Sequence, residues 1–350
     1  MADRKTMGSI ASRQLGSSGL WVPEMSLSFS RGFGKSADPD MVKGLIQGAF
    51  ERGITAYDLS NNFGPPAGAA EKLFGKIFRK HLKSHRDEIL ITTRTGTPGW
   101  EGPYGEGGSR KHLFSSVDHS LKRLGVSFVD ILFHHGPDPR TPIEETGEAL
   151  VDILRAGKCL YLGLCSYPVE SLREMVAFLV SRQVKPIALR YPYNLIESGR
   201  GEGIEAHFSA LEELGMGMMA AAPMAHGLLT AQYLSGWKSD RLEGEVARLL
   251  PSGRISENFQ LKLLALNALA EKRGETLAGM ALSWALRRKE VATVLTEVDR
   301  EEHLRTDVEA VENRRDFSQE DLDEIDRIVA SRLGGAVEEA EAEEFSVGGS

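Results

Sequence analysis

Cysteine is scarce in this sequence: Cys159 and Cys165 are the only two in 350 residues. They cannot build a disulfide framework and do not form a CxxC pair, so a reducing, cytoplasmic setting is expected. An apolar run of about 18 residues is also missing, which argues against a membrane-spanning helix. The N-terminal MADRKTMGSIASRQLG lacks the apolar core of an export signal. Excess positive charge is absent: the net charge is −8 and no basic patch stands out, so nucleic acid is not an expected partner. Much of the acidic excess falls in 331–350, where EEAEAEEFSVGGS has no helical apolar stripe and reads as a disordered, solvating tail.

What is present is alternation. Short apolar runs occur at Met25–Ser30, Ile54–Ser60, Ile89–Thr95, Val129–His135, Leu160–Ser166, Pro186–Tyr191, Met218–Met224 and Thr293–Val298. They are apolar throughout, as expected of strands buried on both faces. Helix-period segments lie between them, at Met41–Arg52, Lys111–Leu124, Ile143–Ala156, Val169–Ser181 and Leu261–Leu286, several followed by a stop such as Gly53, Gly125 or Gly157. This alternation without a composition break predicts an α/β fold, a (β/α)8 TIM barrel over 13–330, behind a flexible N-terminus of 1–12. Arg13–Pro23, with GSSG between two strand-like pieces, predicts a β-hairpin capping the barrel floor. A long loop at Ser235–Glu257 is expected to close over the mouth.

Reactive groups in such barrels sit at the C-terminal strand ends. Those ends carry Asp58, Asn61, Arg94, His134, His135, Cys165, Arg190, Tyr193 and His226. Asp58 reads either as a general acid or base, or as the ion-pair partner of Arg94. His135 can exchange a proton, while strand alternation sends His134 to the opposite face. Arg94 and Arg190 are two cations that need anions: one is expected to take Asp58, the other a carboxylate or phosphate on a ligand, or else an internal salt bridge. Cys165 is a core residue unless a neighbour lowers its pKa and makes it a nucleophile. Tyr193, Asn62 and His226 complete the candidate substrate contacts. No HxH or HxxxH spacing joins Asp58, His135 or Cys165 to a further ligand, so no metal is expected.

Longer stretches carry a resemblance. GITAYDLSNNFGPP, YGEGGSRKHLFSSVDHSLKRLGVSFVDILFHH, YNLIES, GLLTAQYLSG and LAGMALSWALR are similar to aldo-keto reductases, in particular to the branch of bacterial L-glyceraldehyde 3-phosphate reductases and potassium-channel β subunits. The resemblance runs from Arg13 to Ile328. It implies NADPH-dependent carbonyl reduction by four residues: a Tyr that donates the proton, a Lys that lowers its pKa, an Asp paired with that Lys, and a His that orients the carbonyl. The Asp falls on Asp58 and the His on His135, but the Tyr place holds Phe63 and the Lys place Arg94. Phe has no proton to give, and Arg presents a broad fork rather than a point charge. Around the implied cofactor, Arg190 stands for an amide, Cys165 for a Ser, Ala221 for a stacking aromatic, Gln232 for a phosphate-binding Lys, Asp299 for a Ser, and His303 and Asp307 for adenine-side amides. Arg241 and Arg300 are left as phosphate ligands. NADP(H) is therefore expected to bind weakly or not at all.

These replacements lead to the expectation of non-redox acid–base chemistry, of lyase, isomerase or cyclase type, on a small anionic or carbonyl compound. The alternatives are an NADP(H)-dependent reductase with altered catalytic residues, and a non-catalytic binding or regulatory protein. A small-molecule substrate is the expected partner, and homo-oligomerisation is left open.

Overall fold

A computed structural model of the chain describes residues 10–197, 203–234 and 257–331. A two-stranded antiparallel hairpin, β1 (Ser12–Gln14) and β2 (Trp21–Pro23), comes first. Eight parallel strands then close into a barrel: β3 (Met25–Ser28), β4 (Ala56–Asp58), β5 (Leu90–Thr95), β6 (Val129–His135), β7 (Cys159–Cys165), β8 (Ala188–Pro192), β9 (Gly217–Ala221) and β10 (Val291–Thr296). Each pairs with its sequence neighbours, and β10 closes the ring on β3. Around them lie α1 (Pro39–Glu51), α2 (Ala69–His81), α3 (Arg110–Leu124), α4 (Ile143–Arg155), α5 (Val169–Ser181), α6 (Gly203–Leu214), α7 (Glu257–Lys272), α8 (Leu277–Leu286), α9 (Glu301–Glu312) and α10 (Gln319–Ala330). This is the expected (β/α)8 barrel. No helix among the described residues is long and apolar enough to cross a membrane.

The helix ends follow local chemistry. Asp38 caps α1, with Pro39 at its first position, and Ser109 caps α3 by accepting from the His112 N–H. A reciprocal Ser318–Asp321 capping box starts α10. The expected single helix over Leu261–Leu286 is two. Gly274 turns left-handed at φ +71°, and the Thr276 hydroxyl then accepts from Gly279 N–H to begin α8. Buried Glu71 staples the wall, accepting from Thr93 Oγ1 and Arg123 Nε at 2.6 Å each, so that α2, α3 and β5 share one carboxylate.

The hairpin seals the floor. Leu15 and Val22 pack with Ile131, Phe133, Ala188 and Met219 in an apolar cluster inside the barrel, and Arg13 Nη1 donates to the Val291 carbonyl. Packing begins before residue 13, since Ile10 is buried in the main core. Residues 1–9 and 332–350 lie outside the described residues, as does the expected mouth loop apart from Glu257, which opens α7.

Candidate functional site

Strand parity aims the site residues. On β6, Ile131 and Phe133 point into the barrel, so His135 stands above them at the mouth. His134 faces the other way, its Nδ1 at 2.6 Å from the Tyr167 hydroxyl. Gly96 after β5 (φ +94°) and Gly136 after β6 (φ +69°) turn the chain into the mouth loops; at Gly96 a side chain would press on His134 Nε2 at 3.2 Å.

Asp58, fully buried, is the centre of the charge network. Its Oδ1 accepts from Thr92 Oγ1 at 3.0 Å, and its Oδ2 from Ser28 Oγ at 3.1 Å. The same Oδ2 accepts from Arg190 Nε at 3.3 Å and Nη2 at 3.2 Å. The carboxylate therefore does not pair with Arg94, as one sequence reading had it, but with Arg190, which reaches it from β8. Arg94 instead lays its guanidinium over the Phe63 ring, 4.4 Å from the centroid. It is only 5% exposed, and its Nε and Nη2 have no hydrogen-bond partner among the described residues. Burial, and then neighbouring Arg190, depress the Arg94 pKa, with Asp58 and Cys165 opposing them. Arg190 is raised: burial works against its charge, but Asp58 outweighs it.

Cys165 lies between these groups. His135 Nδ1 is 3.2 Å from its Sγ, and Arg190 Nη1 donates to it at 3.9 Å. Burial alone would raise the thiol, yet the His135 hydrogen bond and the charges of Arg190 and Arg94 bring it down to about 6. Cys159, buried without such neighbours, is pushed up to about 12.

Asp58, Phe63, Arg94, His135, Cys165 and Arg190 thus share one mouth, and the remaining candidates lie apart from it. Tyr193 points outward: its ring packs on Trp284 and Phe208, and its hydroxyl accepts from Arg287 Nη1 at 2.7 Å. It belongs to the helix layer and is not placed to touch a substrate in the barrel. Asn62 is exposed and accepts from Ser60 Oγ at 2.6 Å. His226 sits on the rim, its Nδ1 3.5 Å from Glu297 Oε2 and its carbonyl accepting from Arg31. Glu297 was missed in the sequence. It follows β10 and also accepts from Ser30, and the one available signal was a carboxylate at a strand end. Among the described residues no cluster of His, Cys, Asp and Glu is arranged to hold a metal ion.

The implied cofactor positions fit a dinucleotide phosphate only loosely. The N-terminus of α9 has no side-chain cap and Arg300 stands at its cap position, an arrangement suited to a phosphate. Asp299 opposes it, already accepting from Arg300 at 3.3 Å and His303 Nδ1 at 2.8 Å. Arg241 lies outside the described residues. On the inner side of α9, burial raises Asp307 to about 7, and its Oδ2 has no partner among the described residues. An acid whose folded pKa is raised contributes stability at low pH that is lost as pH climbs from about 3.9 through the folded value. Asp307→Asn should therefore stabilise the fold by about 2–4 kcal/mol at pH 8 and change little at pH 4. Thermal melts at the two pH values check this, and equal shifts at both would contradict it.

The sequence model of the Aldo/keto reductase family matches residues 27–330. The chain is 39% identical to L-glyceraldehyde 3-phosphate reductase of Escherichia coli (strain K12), covering 94% of this chain and 95% of that protein. It is 29% identical to a probable voltage-gated potassium channel subunit beta of Arabidopsis thaliana, covering 91% of this chain and 97% of that protein. With its closed barrel, its floor hairpin and a match over nearly its whole length, the chain belongs to the aldo/keto reductase family.

Proposed function

We propose that this protein is a reductase of small carbonyl compounds that carry an anionic group, drawing on loosely held NADP(H). The observation that carries the reading is Arg94, a buried guanidinium with two unpartnered nitrogens beside the half-buried His135. The open N–H groups of Arg94 are charged donors that an oxyanion or substrate anion can accept from. The reductase named among the relatives acts, by that name, on an aldehyde bearing a phosphate, which fits this charge. The same relative favours reduction over the non-redox chemistry suggested by Phe63 and Arg94, which no comparison supports.

Arg300 and the N-terminus of α9 would hold the phosphate of a nicotinamide cofactor, which would supply the hydride when bound. Arg94 holds the developing alkoxide or the substrate anion. His135 keeps its Nδ1 on Cys165 and returns the proton from Nε2, the part given to Tyr in the family pattern. Arg190 keeps Asp58 neutralised so that Arg94 stays open to the ligand. This reading takes 13–330 as one barrel between a flexible N-terminus and an acidic tail, working in a reducing, cytoplasmic setting.

NADPH oxidation should be measured with an aldehyde bearing phosphate or carboxylate and with a neutral aldehyde of like size. The anionic one should turn over faster, and Arg94→Gln should abolish the preference and raise its KM about tenfold or more. His135→Asn should lower kcat about 10²-fold. Product formed without NADPH consumption would restore the non-redox reading. Stoichiometric capture of a partner without turnover would favour a regulatory role, as the channel-subunit name of one relative suggests.

A further inference from the structure

The thiol of Cys165 has surroundings that reduction alone does not require. Two groups contact it, His135 from β6 at 3.2 Å and Arg190 from β8 at 3.9 Å, and the buried charge of Arg94 on β5 acts on it as well. Ser166 Oγ lies 3.5 Å away on its own strand end. Asp58 stands behind Arg190, and β9 presents only the apolar Met219 and Ala221 to this interior. The charge count is uneven. Arg94 and Arg190 bring two positive charges and Asp58, on Arg190, returns one negative; Glu297 is held by His226 and Ser30 on the rim and feels Arg190 from there, so no carboxylate pairs with Arg94. A buried guanidinium without an anion is costly, and an ionised Cys165 supplies the missing charge from inside the protein.

We propose that Cys165 is a thiolate nucleophile that adds reversibly to the carbonyl carbon of an aldehyde at the barrel mouth, forming a thiohemiacetal. The step balances within the site. The thiol proton rests on His135 Nδ1, the Sγ–C bond forms as the C=O π bond breaks, the electron pair moves to oxygen beside the unpartnered Nε and Nη2 of Arg94, and His135 gives up its Nε2 proton to that oxygen and is left neutral. Collapse returns the proton to His135 and the electrons to sulfur, so no oxidant or co-reactant is needed. Cys165 has no exposed surface of its own, and its neighbour His135 is half-buried, so the ligand must be an aldehyde small enough to pass beside His135. The identity of the carbonyl ligand rests on the function proposed above, whereas the thiolate does not.

Two measurements on the full-length protein separate these. The first is alkylation by iodoacetamide, followed by peptide mass across pH. Cys165 should react with a rate midpoint near pH 6, where burial is outweighed by the His135 hydrogen bond and the charges of Arg190 and Arg94, and Cys159 should remain unmodified until the protein unfolds. His135→Asn and Arg94→Gln should each move the midpoint upward, a response that a merely packed cysteine would not give. The second is a spectrum with 13C-carbonyl-labelled propanal. A new sp3 carbon resonance should appear, saturate with aldehyde and vanish in Cys165→Ser. Failure of Cys165 to alkylate below pH 8 in the folded protein overturns the thiolate. Reduction of the aldehyde by NADPH with no such resonance overturns the adduct and leaves the reductase reading standing. The resonance without reduction supports the adduct and sinks the reductase reading.

Discussion

Phe63→Tyr combined with Arg94→Lys should leave NADPH-dependent aldehyde reduction short of the roughly 10²-fold gain at which general acid catalysis begins to show. The pair restores the hydroxyl and the compact cation that the family pattern implies, but not the anchor for that cation. Asp58 is bound through two hydrogen bonds by Arg190 and fully occupied by Ser28 and Thr92 besides. A Lys at 94 would lie next to an already neutralised carboxylate and beside another buried cation, and would lower the Tyr pKa poorly. Adding Arg190→Gln releases Asp58 to the new Lys and returns an amide to the place where the pattern has one. The triple variant is therefore expected to exceed the parent by about 10²-fold or more. The measurement is NADPH oxidation at saturating aldehyde for parent, double and triple variants. A double variant that alone gains a hundredfold would show that Arg190 does not hold Asp58 in solution.

Asp58→Asn should cost about 3–5 kcal/mol of stability, the range found when one partner of a buried pair is removed. The loss comes less from the missing attraction than from what remains. Arg190 is nearly as buried as Asp58, and Arg94 beside it is a second cation that would then have no carboxylate near it. Thr92 and Ser28 would still find an acceptor in the amide oxygen, so the hydroxyls are not the source of the loss. Arg190→Gln in the Asp58→Asn background should recover most of the stability, because two neutral amides replace an unpaired charge. Urea unfolding midpoints for the four corners of this cycle give the coupling directly. A loss in Asp58→Asn no larger than that of an exposed substitution would mean that Arg190 swings out to water, and the proposed vacancy at Arg94 would fall with it.

The barrel was legible because periodicity reports burial. The runs from Val129 to His135 and from Val169 to Ser181 coincide with β6 and α5, and two-residue alternation placed His135 and His134 on opposite faces. Legibility failed where partners are chosen in three dimensions. Asp58 is nearer in strand order to Arg94 on β5 than to Arg190 on β8, so sequence logic pairs the neighbours. In the closed ring β4 and β8 face each other across the interior, and a long guanidinium spans that gap while Phe63 draws Arg94 aside. Tyr193 was placed one residue past a strand end, where a single step of parity turns a side chain from the mouth to the helices. Glu297 was hidden inside TEVDR, whose alignment to the family pattern drew attention to Asp299 instead.

The Arg190–Asp58 strut also makes the order in which substitutions are introduced matter. With Arg at 190 and a Lys at 94 reaching for Asp58, two cations would share one carboxylate in a dry interior. With Arg at 94 and no Phe63 ring to lie on, its guanidinium would compete with Arg190 for Asp58. Positions 63, 94 and 190 therefore couple, and an engineering route through this mouth that changes any one of them alone passes through a poorer intermediate than one that changes them together.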